Sequence, residues 1–265
     1  ALKKSGQINY PFGLAQSNKN LGNAYMFTNQ YDSAQYCFEV AKTICEKYDI
    51  NKSAIYSSLG VLYKTQGNYE KALSTYFEGL RYDEKTENEY GKFVKLVNIS
   101  NVYSAMDDFD KSLQFELRTM ELIKSTSNKN ILEFKGVLLN NLGTTFLKRK
   151  DFDKALEYLN QSLQTNIEYQ NDKEIARNYN NLGILYQEKG DLEKALDFLI
   201  NALAIRIELK DEDEQVETHM SLGTLYGKRK ITKLSNLHFS IAHKIANKVD
   251  NKSLIAEVYL AKSES

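Results

Sequence analysis

Few side chains in this sequence are of a type that makes or breaks bonds. They are His219, His238 and His243, the thiols of Cys37 and Cys45, and acidic runs such as Asp211–Glu214. A helical two-histidine metal site needs residues four apart, so that both imidazoles share a face. His238 and His243 are five apart and fall on different faces. The cysteines lie eight apart on one expected helix, and a disulfide needs Cα atoms within about 7 Å. With no Cys or His cluster beside them they read as small buried apolar residues. No glycine-rich phosphate loop, nucleophile elbow or strand is expected anywhere. The acidic run reads as a solvated turn and helix start, where carboxylates meet the positive end of the helix. Catalysis, a cofactor and a metal are therefore not expected. The chemistry that remains is hydrogen bonding by asparagine, whose amide offers one acceptor and two donors and so matches a peptide backbone.

The elements that would position these groups are legible from an internal repeat. Leu-Gly recurs at Leu21-Gly22, Leu59-Gly60, Leu142-Gly143, Leu182-Gly183 and Leu222-Gly223, with Ile99-Ser100 filling the one gap. The glycine position advances by 38, 40, 43, 40 and 40 residues. An aromatic follows three residues later each time: Tyr25, Tyr63, Tyr103, Phe146, Tyr186 and Tyr226. Twelve residues after the glycine position stands Ala34, Ala72, Ser112, Ala155, Ala195 or Ser235. Leucine and aromatic, four apart, share one helical face, and the glycine between them lets a second helix approach. Gly67 and Gly190 suit a left-handed helix end, and Asn68, Asp108, Asp151 and Asp191 suit the N-cap of the next helix. The pattern predicts helix pairs at 14–29 and 31–48, 52–66 and 69–85, 90–106 and 109–125, 131–149 and 152–170, 174–189 and 192–209, and 213–229 and 232–248. Such a hairpin cannot bury its apolar face alone, so neighbours must stack on it.

The totals agree. Lys plus Arg and Asp plus Glu are 35 each, a balance that argues against nucleic acid or an anionic membrane as partner, since both demand excess positive charge. The single proline, Pro11, leaves long helices uninterrupted. No apolar run approaches the roughly 18 residues of a membrane span, and Ala1-Leu2-Lys3-Lys4 does not open a signal peptide.

Leu-Gly-x-x-Tyr, followed by the small residue at plus twelve and a mostly small one at plus nineteen (Ala41, Gly79, Thr119, Ser162, Ala202 and Ala242), resembles the tetratricopeptide repeat over nearly the whole chain. The period, near 40 rather than 34, and the missing proline after the second helix are similar to the longer repeats of kinesin light chains, Rap-type regulators and sensor regions of bacterial signalling proteins. "NNLGILYQEKGDLEKAL" at Asn180–Leu196 carries the likeness best. The resemblance implies an all-α, right-handed solenoid of about six hairpins, 1–265 forming one domain, with partial repeats at 1–12 and 252–265. It also implies a concave groove, lined by the first helix of each hairpin, that binds a protein or peptide segment. Projected on that surface are Lys19, Asn20, Asn23, Asn98, Asn101, Asn140, Asn141, Thr144, Lys148, Arg177, Asn180, Asn181 and Gln187. The asparagines either grip a partner's main chain or tie one repeat to the next. With Lys64 and Lys228 the lining reads as mildly basic, opposed by Glu188 and Glu217.

Ala1-Leu2 matches the middle of a second helix, and Asn251–Ser265 echoes the first helix starting at Asn51, so the chain reads as part of a longer protein. Two further roles stay open beside a sensor or adaptor. One is a structural scaffold acting through its convex face or by self-association, and the other is a regulatory lid on an attached enzyme. Cytoplasm and periplasm are both compatible with the sequence.

Overall fold

A computed structural model describes the backbone of residues 2–264 and the side chains of residues 10–264. Among these, every regular element is helical. The helices are α1 (Leu2–Phe27), α2 (Tyr31–Lys47), α3 (Ser53–Thr65), α4 (Tyr69–Lys85), α5 (Glu89–Ala105), α6 (Phe109–Ser125), α7 (Lys129–Leu132), α8 (Lys135–Lys148), α9 (Phe152–Glu168), α10 (Asp172–Glu188), α11 (Leu192–Glu208), α12 (Glu212–Lys228), α13 (Thr232–Lys248) and α14 (Lys252–Glu264). The hairpins pair α1 with α2, α3 with α4, α5 with α6, α8 with α9, α10 with α11 and α12 with α13.

One turn design closes them all. At the end of each first helix, the backbone N–H five residues after the repeat's aromatic donates to that aromatic's carbonyl, as in Asn68 to Tyr63 (2.8 Å), Asp108 to Tyr103 (3.0 Å) and Asp191 to Tyr186 (2.9 Å). This is the Schellman closure, and it needs a left-handed residue just before the donor. Gly67 and Gly190 supply it with φ of 73° and 84°, but Asn29, Asp107, Lys150 and Lys230 adopt it as well, with φ of 57–61°. The donor then caps the next helix: the side chains of Asn68, Asp108, Asp151 and Asp191 accept from the N–H of Lys71, Lys111, Lys154 and Lys194. Those four lysines in turn lie over the preceding repeat aromatics, with Nζ 5.2–5.7 Å from the ring centroid. Ile231, lacking an acceptor, caps α13 with no side-chain bond.

The recurring glycine is explained by the residue sixteen positions later. A Cβ on Gly22, Gly60, Gly143, Gly183 or Gly223 would come within 2.3–2.9 Å of Phe38, Tyr76, Leu159, Leu199 or Phe239 respectively. All five partners are essentially buried. The small residue at plus twelve borders this contact, and the large residue at plus sixteen fills it.

Two stretches differ from the sequence reading. The expected helix 131–149 is interrupted at Glu133-Phe134, giving the short α7 and then α8. Here the spacing is three residues longer than in the flanking repeats, and the surplus is taken up by this extra turn. At the same break the chain divides into two compact units, Ala1–Leu132 and Glu133–Ser265. At the start, Leu2–Phe27 is one helix that includes Pro11, in place of a half-hairpin over 1–12 followed by a new helix. Most of 1–12 lies outside the residues whose side chains are described.

Successive hairpins meet through a fixed pair of positions, 23 after one glycine position and five before the next. In the first unit this pair is Cys45 with Ile55, in one apolar cluster, and then Asp83 with Lys95, a fully buried ion pair at 3.0 Å. In the second unit it is Asn166 with Asn178, joined at 2.7 Å, and then Arg206 with Thr218, also hydrogen-bonded. At the last junction, Ala246 stands with Val258 in an apolar cluster. The geometry repeats while the chemistry changes.

Candidate functional site

In the second unit α8, α10, α12 and α14 line an open cavity of about 480 Å³. Five of the residues projected onto the groove meet there: Asn140, Asn141, Thr144, Arg177 and Asn181. Asn140 is the hub. Its Oδ1 accepts from Asn178 Nδ2 at 2.9 Å and from Asn181 Nδ2 at 3.0 Å. Asn178 is itself oriented by Asn166, which donates to its Oδ1. This chain fixes each amide: with Oδ1 of Asn140 facing its neighbours, its Nδ2 is left uncommitted, and with Nδ2 of Asn181 spent, its Oδ1 is left uncommitted. Asn140 and Asn181 are only 2% and 9% exposed, yet both line the cavity. Asn141 is half-buried beside them and its amide has no partner among the described residues. An uncommitted donor and an uncommitted acceptor on neighbouring amides, both reaching the cavity, are the complement of one peptide unit.

The charge of this cavity differs from the mildly basic lining expected of the groove as a whole. Arg177 is held by both oxygens of Glu174 at 3.0 Å and by Glu214 at 3.4 Å. Burial opposes its charge, but those carboxylates outweigh burial and raise its pKa. Lys228 is neutralised by Glu188 at 2.8 Å. Arg206, buried behind the wall, binds Glu214 at 2.6 Å and Glu217 at 3.1 Å. The cavity itself is lined by Asp213, Glu214, Glu217 and Glu257. Glu217 is one of the lining residues, with 47% of its side chain exposed. Desolvation by neighbouring protein raises its carboxyl above the usual range, while Arg206 pulls it down and Glu214 pushes it up. The acidic stretch is thus more than a helix start: Asp211 caps α12, but the two residues after Glu212 form cavity wall. From the sequence Asp213 and Glu214 read only as part of a helix start, and Asn251, Leu254 and Glu257 carry no signal of the cavity, because α14 reaches it from far along the chain.

The other projected residues lie apart. Asn180 is 1% exposed and both its amide atoms are buried without a partner, as is Oε1 of Gln187. Lys148 is exposed. In the first unit Asn98 turns back on its own helix, donating to the Val94 carbonyl at 2.9 Å. Asn20 accepts from Gln16 at 3.0 Å, and Lys19 and Asn101 are half-buried. Asn23 borders a separate cavity of about 490 Å³ with Met26, Phe27, Ser57, Ser58, Val61 and Thr65. This one is mainly apolar.

The histidines pair in a way their spacing on one helix does not suggest. His219 of α12 and His238 of α13 approach to 2.9 Å between Nδ1 atoms, and Tyr226 stacks on His238 at 5.3 Å. Burial, with His238 adding to it, lowers the pKa of His219 to about 4. The unfolded chain therefore takes up a proton near pH 6.5 that the folded chain refuses until about pH 4. The stability due to the neutral pair is complete above about pH 6.5 and is lost as pH falls toward 4, by about 3 kcal/mol at most. Urea midpoints of the wild type should fall more steeply than those of His219→Leu between pH 7 and 4. Parallel profiles would refute the assignment.

The family profiles described as tetratricopeptide repeat match residues 13–85 and 174–230, and residues 137–166. Among solved structures, the apo form of RapI aligns with a TM-score of 0.74 at 14% identity, over 94% of this chain and 96% of that one. BtubC (BKLC) from P. vanneervenii aligns with a TM-score of 0.66 at 23% identity, over 84% of this chain and 92% of that one. A signal transduction ATPase with numerous domains and a tetratricopeptide repeat sensor, from Pyrococcus horikoshii, aligns with a TM-score of 0.70 at 15% identity, over 94% of this chain and 42% of that one.

Proposed function

Since the chain belongs to the tetratricopeptide repeat family, whose folds are typically non-catalytic and generally bind proteins or peptides, we propose that it is a protein-binding scaffold whose second unit takes an extended peptide segment between α8 and α14. The observation that carries this reading is the uncommitted donor of Asn140 and acceptor of Asn181 at the wall of one cavity, with the free amide of Asn141 beside them. A peptide backbone lying along these amides exchanges water for direct hydrogen bonds, each worth about 0.5–1.5 kcal/mol net. The finer role we assign is that of a sensor or adaptor region in a bacterial signal-transduction protein. Its support is the 40-residue repeat and the likeness of fold to RapI and to the sensor-bearing ATPase.

Selection of binders from a random peptide library supplies the test. Asn141→Ala should weaken the selected peptides by about 1–3 kcal/mol while leaving the melting temperature unchanged, because the Asn141 amide has no partner among the described residues. Asn140→Ala should lower both affinity and melting temperature, because it removes the hub between α8 and α10. If Asn141→Ala leaves affinity intact and Asn160→Arg, on the exposed side of α9, abolishes it, the partner sits on the convex face and the groove reading fails.

A further inference from the structure

We propose that the segment held in this cavity carries an arginine or lysine side chain, seated among Asp213, Glu217 and Glu257 while its main chain lies against Asn140, Asn141 and Asn181. This deepens the peptide-groove reading and rests on it. The first support is charge complementarity. Around the cavity the guanidinium groups of Arg177 and Arg206 face five carboxylates, Glu174, Asp213, Glu214, Glu217 and Glu257. Glu174 and Glu214 are consumed by the two arginines. Glu217 gives one oxygen to Arg206 and keeps the other free. Glu257 receives only the Ser253 hydroxyl, at 3.1 Å, and Asp213 has no partner among the described residues. Three carboxylates with spare acceptor capacity thus share one concave space, which concentrates negative potential there.

The second support is independent of charge. Asn140 and Asn181 are more than nine-tenths buried and each turns an unpartnered amide atom into the same space. They favour an extended main chain over a free cation. The carboxylates also suit a side-chain cation better than a bare divalent ion, because among the described residues no three His, Cys, Asp or Glu side chains gather closely enough to hold a metal. An anionic partner is disfavoured, since both arginines already have their forks filled by carboxylates.

The probe is a set of fluorescein-labelled peptide pools, identical except for one position fixed as Arg, Lys, Gln or Glu. The Arg and Lys pools should bind about tenfold tighter than the Gln pool at low ionic strength, and the Glu pool weakest, with the difference shrinking as salt rises. Asp213→Asn with Glu217→Gln, both keeping acceptors and size, should erase the preference while binding of the Gln pool persists. Asn141→Ala should weaken every pool alike. Pools that bind equally, or a preference for Glu, with sensitivity to Asn141→Ala retained, would overturn the cationic partner and leave the groove standing. Preference for Arg that survives the double substitution overturns the assignment to these carboxylates. Binding by none of the pools would overturn both.

Discussion

Lys95→Met is expected to destabilise the protein by about 3–5 kcal/mol, the cost of leaving a buried charge without its partner. Lys95 and Asp83 are both 0% exposed. The ammonium reaches Asp83 Oδ2 at 3.0 Å, the Ser53 carbonyl at 3.0 Å and the Ser53 hydroxyl at 3.1 Å. Asp83 additionally accepts from Ser53 Oγ at 3.0 Å and from Asn88 Nδ2 at 2.8 Å. Burial lowers the pKa of Lys95, and Asp83 opposes that shift. With the cation gone, Asp83 is a buried carboxylate against an apolar methionine. Adding Asp83→Asn removes the stranded charge and should recover most of the loss, since two neutral residues have far less to desolvate. Denaturant midpoints of the two variants test this. A single variant within about 1 kcal/mol of wild type, or a double variant no better than the single, would contradict it.

Gly183→Leu should cost about 1–3 kcal/mol or more through overpacking between α10 and α11. A Cβ there would stand 2.6 Å from Leu199 Cγ and 3.2 Å from the Ala195 carbonyl. Leu199 is completely buried, and the carbonyl belongs to helical backbone, so neither can yield without moving α11. Gly13→Ala provides the contrast. Gly13 is also helical, but a Cβ there meets nothing within 4 Å, so the same loss of backbone freedom should give a gain of about 0.5–1 kcal/mol. Melting temperatures moving in opposite directions would support the contact assignment, and an unchanged melt for Gly183→Leu would sink it.

These two substitutions mark what the sequence makes legible. Leu-Gly-x-x-aromatic locates most hairpins to within a residue or two, because it records a contact that every hairpin must make. The left-handed turns were visible only where glycine stands. Lys150 and Lys230 take the same conformation because the Schellman bonds and the following cap hold them there. No sequence signal marks Lys95, Asp83 and Arg206 as buried groups, because their positions recur but their residue types do not. The acidic cavity wall was hidden for another reason. Asp213 and Glu214 sit where any helix welcomes carboxylates, and only the approach of α14 makes them part of a cavity wall.

The changing chemistry at the junctions gives the array an order of assembly. If every interface used the same pair, any hairpin could dock on any other, and a skipped or exchanged unit would cost little. Here the asparagine at 166 is matched to an asparagine, and the guanidinium at 206 to a hydroxyl backed by carboxylates. Removing the hairpin α10–α11 would bring Asn166 against Thr218 and leave Glu214 and Glu217 without Arg206. At these polar junctions the buried pair acts as the address of the neighbouring hairpin, so look-alike pieces are kept from exchanging places there.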